Sequence, residues 1–122
     1  MNVWFGGLHG QDYQNIYRLS QIKNPPPSKL FVFIDTHEDS IGGGSFDVTS
    51  PQPDNYWWAH LPAWRHAGNG ALVFADGHSE QKKWLDKRTV LPVTRTSKFG
   101  LRQPGNPDIF WLQERATWKK RY

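Results

Sequence analysis

Glycine and proline interrupt this chain so often that they decide most of what it can become. Eleven Gly and nine Pro are spread over 122 residues. Each Pro fixes φ and removes an amide donor, and each Gly weakens a helix or strand interior. Long helices are thereby disfavoured, and short strands joined by turns remain. The sharpest interruption is Asn24-Pro25-Pro26-Pro27-Ser28, a stiff extended connector because three successive residues lack N–H groups.

Between these breaks two runs read as strands. Leu30-Phe31-Val32-Phe33-Ile34 is continuously apolar and rich in β-branched and aromatic residues, the pattern of a central strand covered on both faces. Ala71-Leu72-Val73-Phe74-Ala75 is the second, preceded by Gly68-Asn69-Gly70 and followed by Asp76-Gly77, both turn-forming. His78 to Trp84 then returns as an edge or solvent-facing strand, so Ala71 to Trp84 is expected to be a hairpin. Tyr13 to Ile22 fits a short helix through Ile16, Leu19 and Ile22, and a strand through Ile16, Arg18, Ser20 and Ile22; the strand is preferred. Further short strands are expected at Ser45 to Val48 and around Thr89 to Val93. A short helix starts at Asn106-Pro107-Asp108, with Asn106 as cap, Pro107 in the first turn and Asp108 near the positive end of the dipole. Ile109 and Leu112, or Phe110 with Trp111, would dock it on the sheet.

The expected architecture is one α+β domain over residues 1–122, built on a mainly antiparallel sheet with hairpins, long loops and one or two short helices. Residues 1–12 form an irregular opening segment and residues 116–122 a basic tail that frays. This length supports one core. Seven Trp and an aromatic content of 15% suggest that a few large rings fill it. Without cysteine there is neither a disulfide framework nor a thiolate zinc site.

The net charge of +4 would draw an anionic partner. The excess, however, sits in Lys82, Lys83, Lys87 and Arg88 and in Lys119, Lys120 and Arg121, which read as a solvated face and a tail and argue against nucleic acid. No run approaches the roughly 20 apolar residues of a membrane span, and the N-terminus has no basic-then-apolar targeting pattern.

Two polar clusters follow the two strand runs and are the candidate chemical groups. Asp35, His37, Glu38 and Asp39 form the first; His66, Asp76 and His78 form the second. If the strand ends meet, carboxylates and imidazoles could hold a divalent cation such as calcium, with Asp35, His37, Glu38, Asp39, His66 and Asp76 as candidate ligands. The plainer alternative is that loops after strands are polar because their backbone needs water or caps. Asp35-Thr36-His37 resembles the start of a binuclear phosphoesterase site, but in that tripeptide alone. There is no Gly-x-Ser-x-Gly elbow, phosphate-binding Gly loop or Cys nucleophile. Trp57, Trp58 and Trp64 are core or subunit interface, the preferred reading, or a stacking platform for a sugar or another ligand.

His66 and Asp76-Gly77, separated by nine residues, resemble the signature of the C-terminal H-x(9)-D-G domain of prepilin-type, pseudopilin-like proteins. Phe31 to Asp35 with Glu38-Asp39-Ser40-Ile41 is similar to that family's hydrophobic strand and acidic turn. Arg65-His66-Ala67-Gly68 with Phe74-Ala75-Asp76-Gly77-His78 is similar to its core, and Asn106-Pro107-Asp108 with Trp111-Leu112 to its tail. Coverage runs from about Ile22 to Arg115. The resemblance implies a pilin-like globular head, a non-catalytic assembly role in a type II secretion or related system of the cell envelope, and pilin-like subunits or self-association as partners. It requires no cofactor; calcium and a polysaccharide remain candidates. The family's leader and apolar anchor helix are not in this sequence, which therefore reads as the head alone or as a freestanding version, with membrane contact only through an anchor it does not carry. His66, Asp76, Gly77 and His78 are expected to be structural, with His66 hydrogen-bonded near Asp76.

Overall fold

The computed structural model describes residues 1–4, 13, 15–50, 56–65 and 67–118. The hairpin forms where its turn residues place it. Strands β3 (Asn69–Phe74) and β4 (Ser79–Lys83) pair antiparallel, from Asn69 opposite Lys83 to Val73 opposite Ser79. Strand β1 (Phe31–Ile34) pairs antiparallel on the other side of β3, with an irregularity between Phe31 and Phe33. The order is β1-β3-β4, so β3 is central. A second, two-stranded sheet joins β2 (Trp57–Trp58) to β5 (Leu101–Arg102). Helix α1 (Pro107–Gln113) follows. The molecule is thus a small single α+β domain of antiparallel sheets and one helix among the described residues.

The inner face of the large sheet carries Phe31, Leu72 and Phe74, each at most 2% exposed, and packs against Leu30, Leu61, Ile109 and Leu112. Each such side chain contributes about 1.5–3 kcal/mol by leaving water. Rings complete the core: Trp84 meets Trp58 edge-on at 6.5 Å and Trp111 edge-on at 6.4 Å. Gly70 makes room for Trp84, since a Cβ there would lie 2.5 Å from the Trp84 ring. α1 docks through Ile109 and Leu112, while Phe110 is half exposed.

Several sequence expectations need correction. The run at 30–34 is not the central strand: β1 lies at the sheet edge, and Phe33 is 53% exposed. Tyr13 to Ile22 is not a continuous strand; isolated pairing occurs at Tyr13 and Ile16, and Leu19–Gln21 is a single 3-10 turn. Ser45 to Val48 contributes one parallel bridge, Phe46 to Asn2. Thr89 to Val93 is no strand: Thr89 and Val90 close turns on the carbonyls of Asp86 and Lys87. The chain after α1 does not fray at once, because Ala116 and Thr117 are buried.

One polar side chain ties the ends together. Buried Asn2 donates from Nδ2 to the carbonyls of Phe31 at 3.0 Å and Ala116 at 2.9 Å, and its Oδ1 accepts from the Trp4 amide at 3.1 Å. Among the described residues, no helix is long and apolar enough to cross a membrane.

Candidate functional site

The polar cluster after β1 is built from a chain that turns inward. Asp35 remains in the sheet frame through its backbone, its N–H donating to Ala71 and its carbonyl accepting from Ala63. Its carboxylate faces outward, 3.7 Å from Arg65, which also pairs with Glu38. His37 points the other way and is 1% exposed. Its Nδ1 accepts from the Asp39 amide at 3.0 Å, and its Nε2 contacts the Leu91 carbonyl at 2.8 Å. The first bond requires a bare Nδ1, so Nε2 carries the proton and donates to Leu91. The imidazole therefore caps the 3-10 turn Glu38–Ser40 and fastens it to a distant loop.

Asp39 anchors the same loop. Oδ2 accepts from the Thr94 amide, the Thr94 hydroxyl and Lys98 Nζ, and Oδ1 accepts from the Arg95 amide at 2.8 Å. The Lys98 ammonium, followed by the Thr94 amide, holds this carboxyl well below the usual carboxylate range, against the opposing effect of burial. Arg95 adopts φ +61, a conformation that side-chain-bearing residues avoid. The Asp39 bond at Arg95 supports that turn.

The second cluster is the hairpin tip. The N–H of Gly77 returns to the Phe74 carbonyl, and Gly77 takes φ +92, where a Cβ is disfavoured. Asp76 Oδ1 accepts from the His78 amide at 3.1 Å and from the His78 ring. The other ring nitrogen meets Glu80 at 3.0 Å, and the imidazole stacks on Phe74 with centroids 4.6 Å apart. Glu80, then Asp76, pushes the His78 pKa up, while the His78 hydrogen bond draws that of Asp76 down. His66 lies outside the described residues, and the expected His66–Asp76 bond with it.

The geometry decides whether the clusters can meet. Because β1 and β3 run antiparallel, Asp35 ends β1 beside Ala71, whereas Asp76 follows the opposite end of β3 beside Leu30. Asp35 and Asp76 are thus separated by roughly 16 Å of strand. Among the described residues, Asp76 and His78 form no shared site with the first cluster, and no three His, Asp or Glu side chains converge as a metal site. Asp35 and Glu38 are paired with Arg65, and His37 and Asp39 are spent on loop anchoring.

The three Trp residues separate as well. Trp58 is core, its Nε1 donating to Gln103 at 2.8 Å. Trp64 is half-buried and donates to the Leu91 carbonyl. Only Trp57 among the three is exposed, at 40%, with the Arg102 guanidinium 5.8 Å from its ring centroid. An open platform of all three rings is therefore absent; β2 alternates its two Trp across the sheet.

Sequence reasoning missed a buried polar hub beside α1. Asp108 accepts from the amides of Leu85 and Asp86 and from the Thr89 hydroxyl. Asn106 caps Asp108 at 2.9 Å and donates to Thr89 and Gln103, which in turn accepts from Trp58. The Asn-Pro-Asp spacing signals the cap, but nothing in it signals the loop that Asp108 clasps. The sequence also gave no warning that Phe33 and Val73 stand as directly paired exposed residues on the sheet's outer face. Comparison with known proteins returns no family model, no curated protein and no solved structure that matches the chain.

Proposed function

We propose that this protein is a non-catalytic assembly module of a pseudopilin-like cell-envelope or secretion system, acting through protein contacts. The reading begins from the resemblance of His66, Asp76-Gly77 and the flanking segments to the H-x(9)-D-G domain. The observation that carries it further is the contrast between the polar clusters and the sheet's outer face. The described residues with acid/base or ligand character are engaged in holding turns and loops: His37, Asp39, Asp76 and His78 each have partners within the fold. Phe33 and Val73, by contrast, lie side by side with 53% and 37% of their surfaces open. A paired aromatic and β-branched residue on a strand face supplies contact area without chemistry.

The partner in this reading is a pilin-like subunit, the setting is the periplasmic or extracellular side of the envelope, and no cofactor is required. A photo-cross-linking amino acid at position 33, introduced in cells that make the protein, tests it. The expected adduct, identified by mass spectrometry, is with a subunit bearing an apolar pilin-type N-terminal helix. Adducts only with unrelated proteins, or none on irradiation, would remove the proposal.

A further inference from the structure

The large sheet treats its two edges differently. The outer edge of β1 is closed, since the Phe31 amide donates to Arg115 and the Val32 carbonyl accepts from Asn2. Among the described residues, no backbone pairs with the outer edge of β4. The bonds from Phe74 N–H to His78 and from Trp84 N–H to Gly68 set the ladder's two-residue period, so Glu80 and Lys82 bond inward to β3. Ser79, Gln81 and Lys83 therefore aim their N–H and C=O groups outward. Among the described residues, none of those N–H groups meets a backbone acceptor.

We propose that this edge pairs with the same edge of a second copy of the chain, antiparallel and centred on Gln81, merging the two three-stranded sheets. The proposal rests on the assembly reading and adds to it the partner and the edge. Such a contact is isologous, the usual geometry of a two-fold dimer. Centring on Gln81 brings Ser79 opposite Lys83 of the second copy, for about six inter-chain backbone hydrogen bonds, the Lys83 carbonyl exchanging its present bond from Lys82 Nζ at 2.7 Å for the Ser79 amide of the second copy. A slip of two residues would carry the pairing into the hairpin turn or past Lys83.

Charge selects the same register. Glu80 falls opposite Lys82 of the second copy, twice by symmetry, at the closely spaced non-hydrogen-bonded positions where cross-strand side chains interact best. Parallel pairing in register would instead set Glu80 against Glu80 and Lys82 against Lys82. Lysines on an edge normally discourage pairing. Here the alternation with Glu80 restricts pairing to one partner and one direction. Both heads are already oriented: Glu80 is held by His78 at 3.0 Å, and the Lys82 ammonium sits 5.2 Å from the Trp111 ring centroid.

Sedimentation velocity of the purified chain, from micromolar to millimolar concentration at low salt, tests the pairing. A concentration-dependent dimer is expected. Glu80→Lys and Lys82→Glu should each weaken it at least about tenfold, because each creates two like-charge pairs. Mixing the two variants should restore dimers, since every Lys of one then faces a Glu of the other; the double exchange in one chain should restore them too. That restoration also separates the effect from misfolding. A wild-type chain that stays monomeric, a dimer indifferent to both variants, or a mixture that fails to reassociate would each overturn the pairing. A monomer that still cross-links through position 33 to a pilin-like subunit would reject this edge alone and leave the assembly reading standing.

Discussion

Asp108 concentrates the polar interior on one carboxylate. It is fully buried at the start of α1, yet it accepts from two amides and one hydroxyl of the Leu85 to Thr89 loop. Removing a buried acceptor with several donors leaves those donors without water or a partner. Asp108→Ala should therefore lower stability by roughly 2–4 kcal/mol, read as a lower urea midpoint with an unchanged slope; a shift under half a kcal/mol would mean that water replaces the carboxylate. Gly70 acts by space instead. Gly70→Ala drives a Cβ to within 2.5 Å of Trp84 and should cost roughly 1–3 kcal/mol through overpacking. Chemical denaturation checks this, and a wild-type midpoint would show that the ring yields freely. At this scale the sequence was half legible. Asn106 and Asp108 announced a helix start, but the donors Asp108 serves lie about 20 residues upstream. His37 and Asp39 looked like ligands because their partners, Leu91 and Thr94 to Lys98, are more than 50 residues away.

Elements were most legible where local turn chemistry and pairing coincide. The hairpin needs only the Asp76-Gly77 turn, since β3 and β4 lie next to each other in sequence; Asn69 and Gly70, expected as a turn, are already paired within β3. The apolar run marks β1 as a strand, but its place at the sheet edge depends on distant pairing that such a run does not encode. The hairpin tip also carries a pH dependence with two signs. His78 has a raised pKa, so its contribution is fully present below the ordinary histidine value of 6.5 and is lost as pH rises through the folded value. Asp76 has a lowered pKa, so its contribution is present above the ordinary value of 3.8 and is lost as pH falls through the folded value. The turn should be firmest between those limits. Amide exchange at the tip, corrected for intrinsic rates, should show greatest protection near pH 5, and NMR titration of His78 should give a midpoint above 6.5. His78→Ala should abolish the alkaline loss of protection; if it persists in that variant, the assignment to His78 is wrong.

On the scale of the whole molecule, the two ends of the described chain are joined by Asn2. Its amide nitrogen bonds both Phe31 and Ala116, so the opening segment, the edge strand and the residues after α1 share one buried side chain. No local pattern reveals this, because the bond to Ala116 spans 114 positions. The hairpin, by contrast, forms from neighbouring residues and needs no such closure. Joining distant segments must await the ordering of what lies between them, since loop closure costs entropy before the contact returns any energy. The Asn2 tie is therefore expected to form after the transition state. Asn2→Ala leaves two buried carbonyls without the donor they share, and should cost roughly 2–4 kcal/mol. That loss should fall almost wholly on the unfolding limb of a stopped-flow chevron, with unfolding faster by about 30-fold or more and folding nearly unchanged. Slower folding with an unaltered unfolding rate would place the tie in the nucleus and reverse the proposed order, with the chain ends meeting before the hairpin is complete.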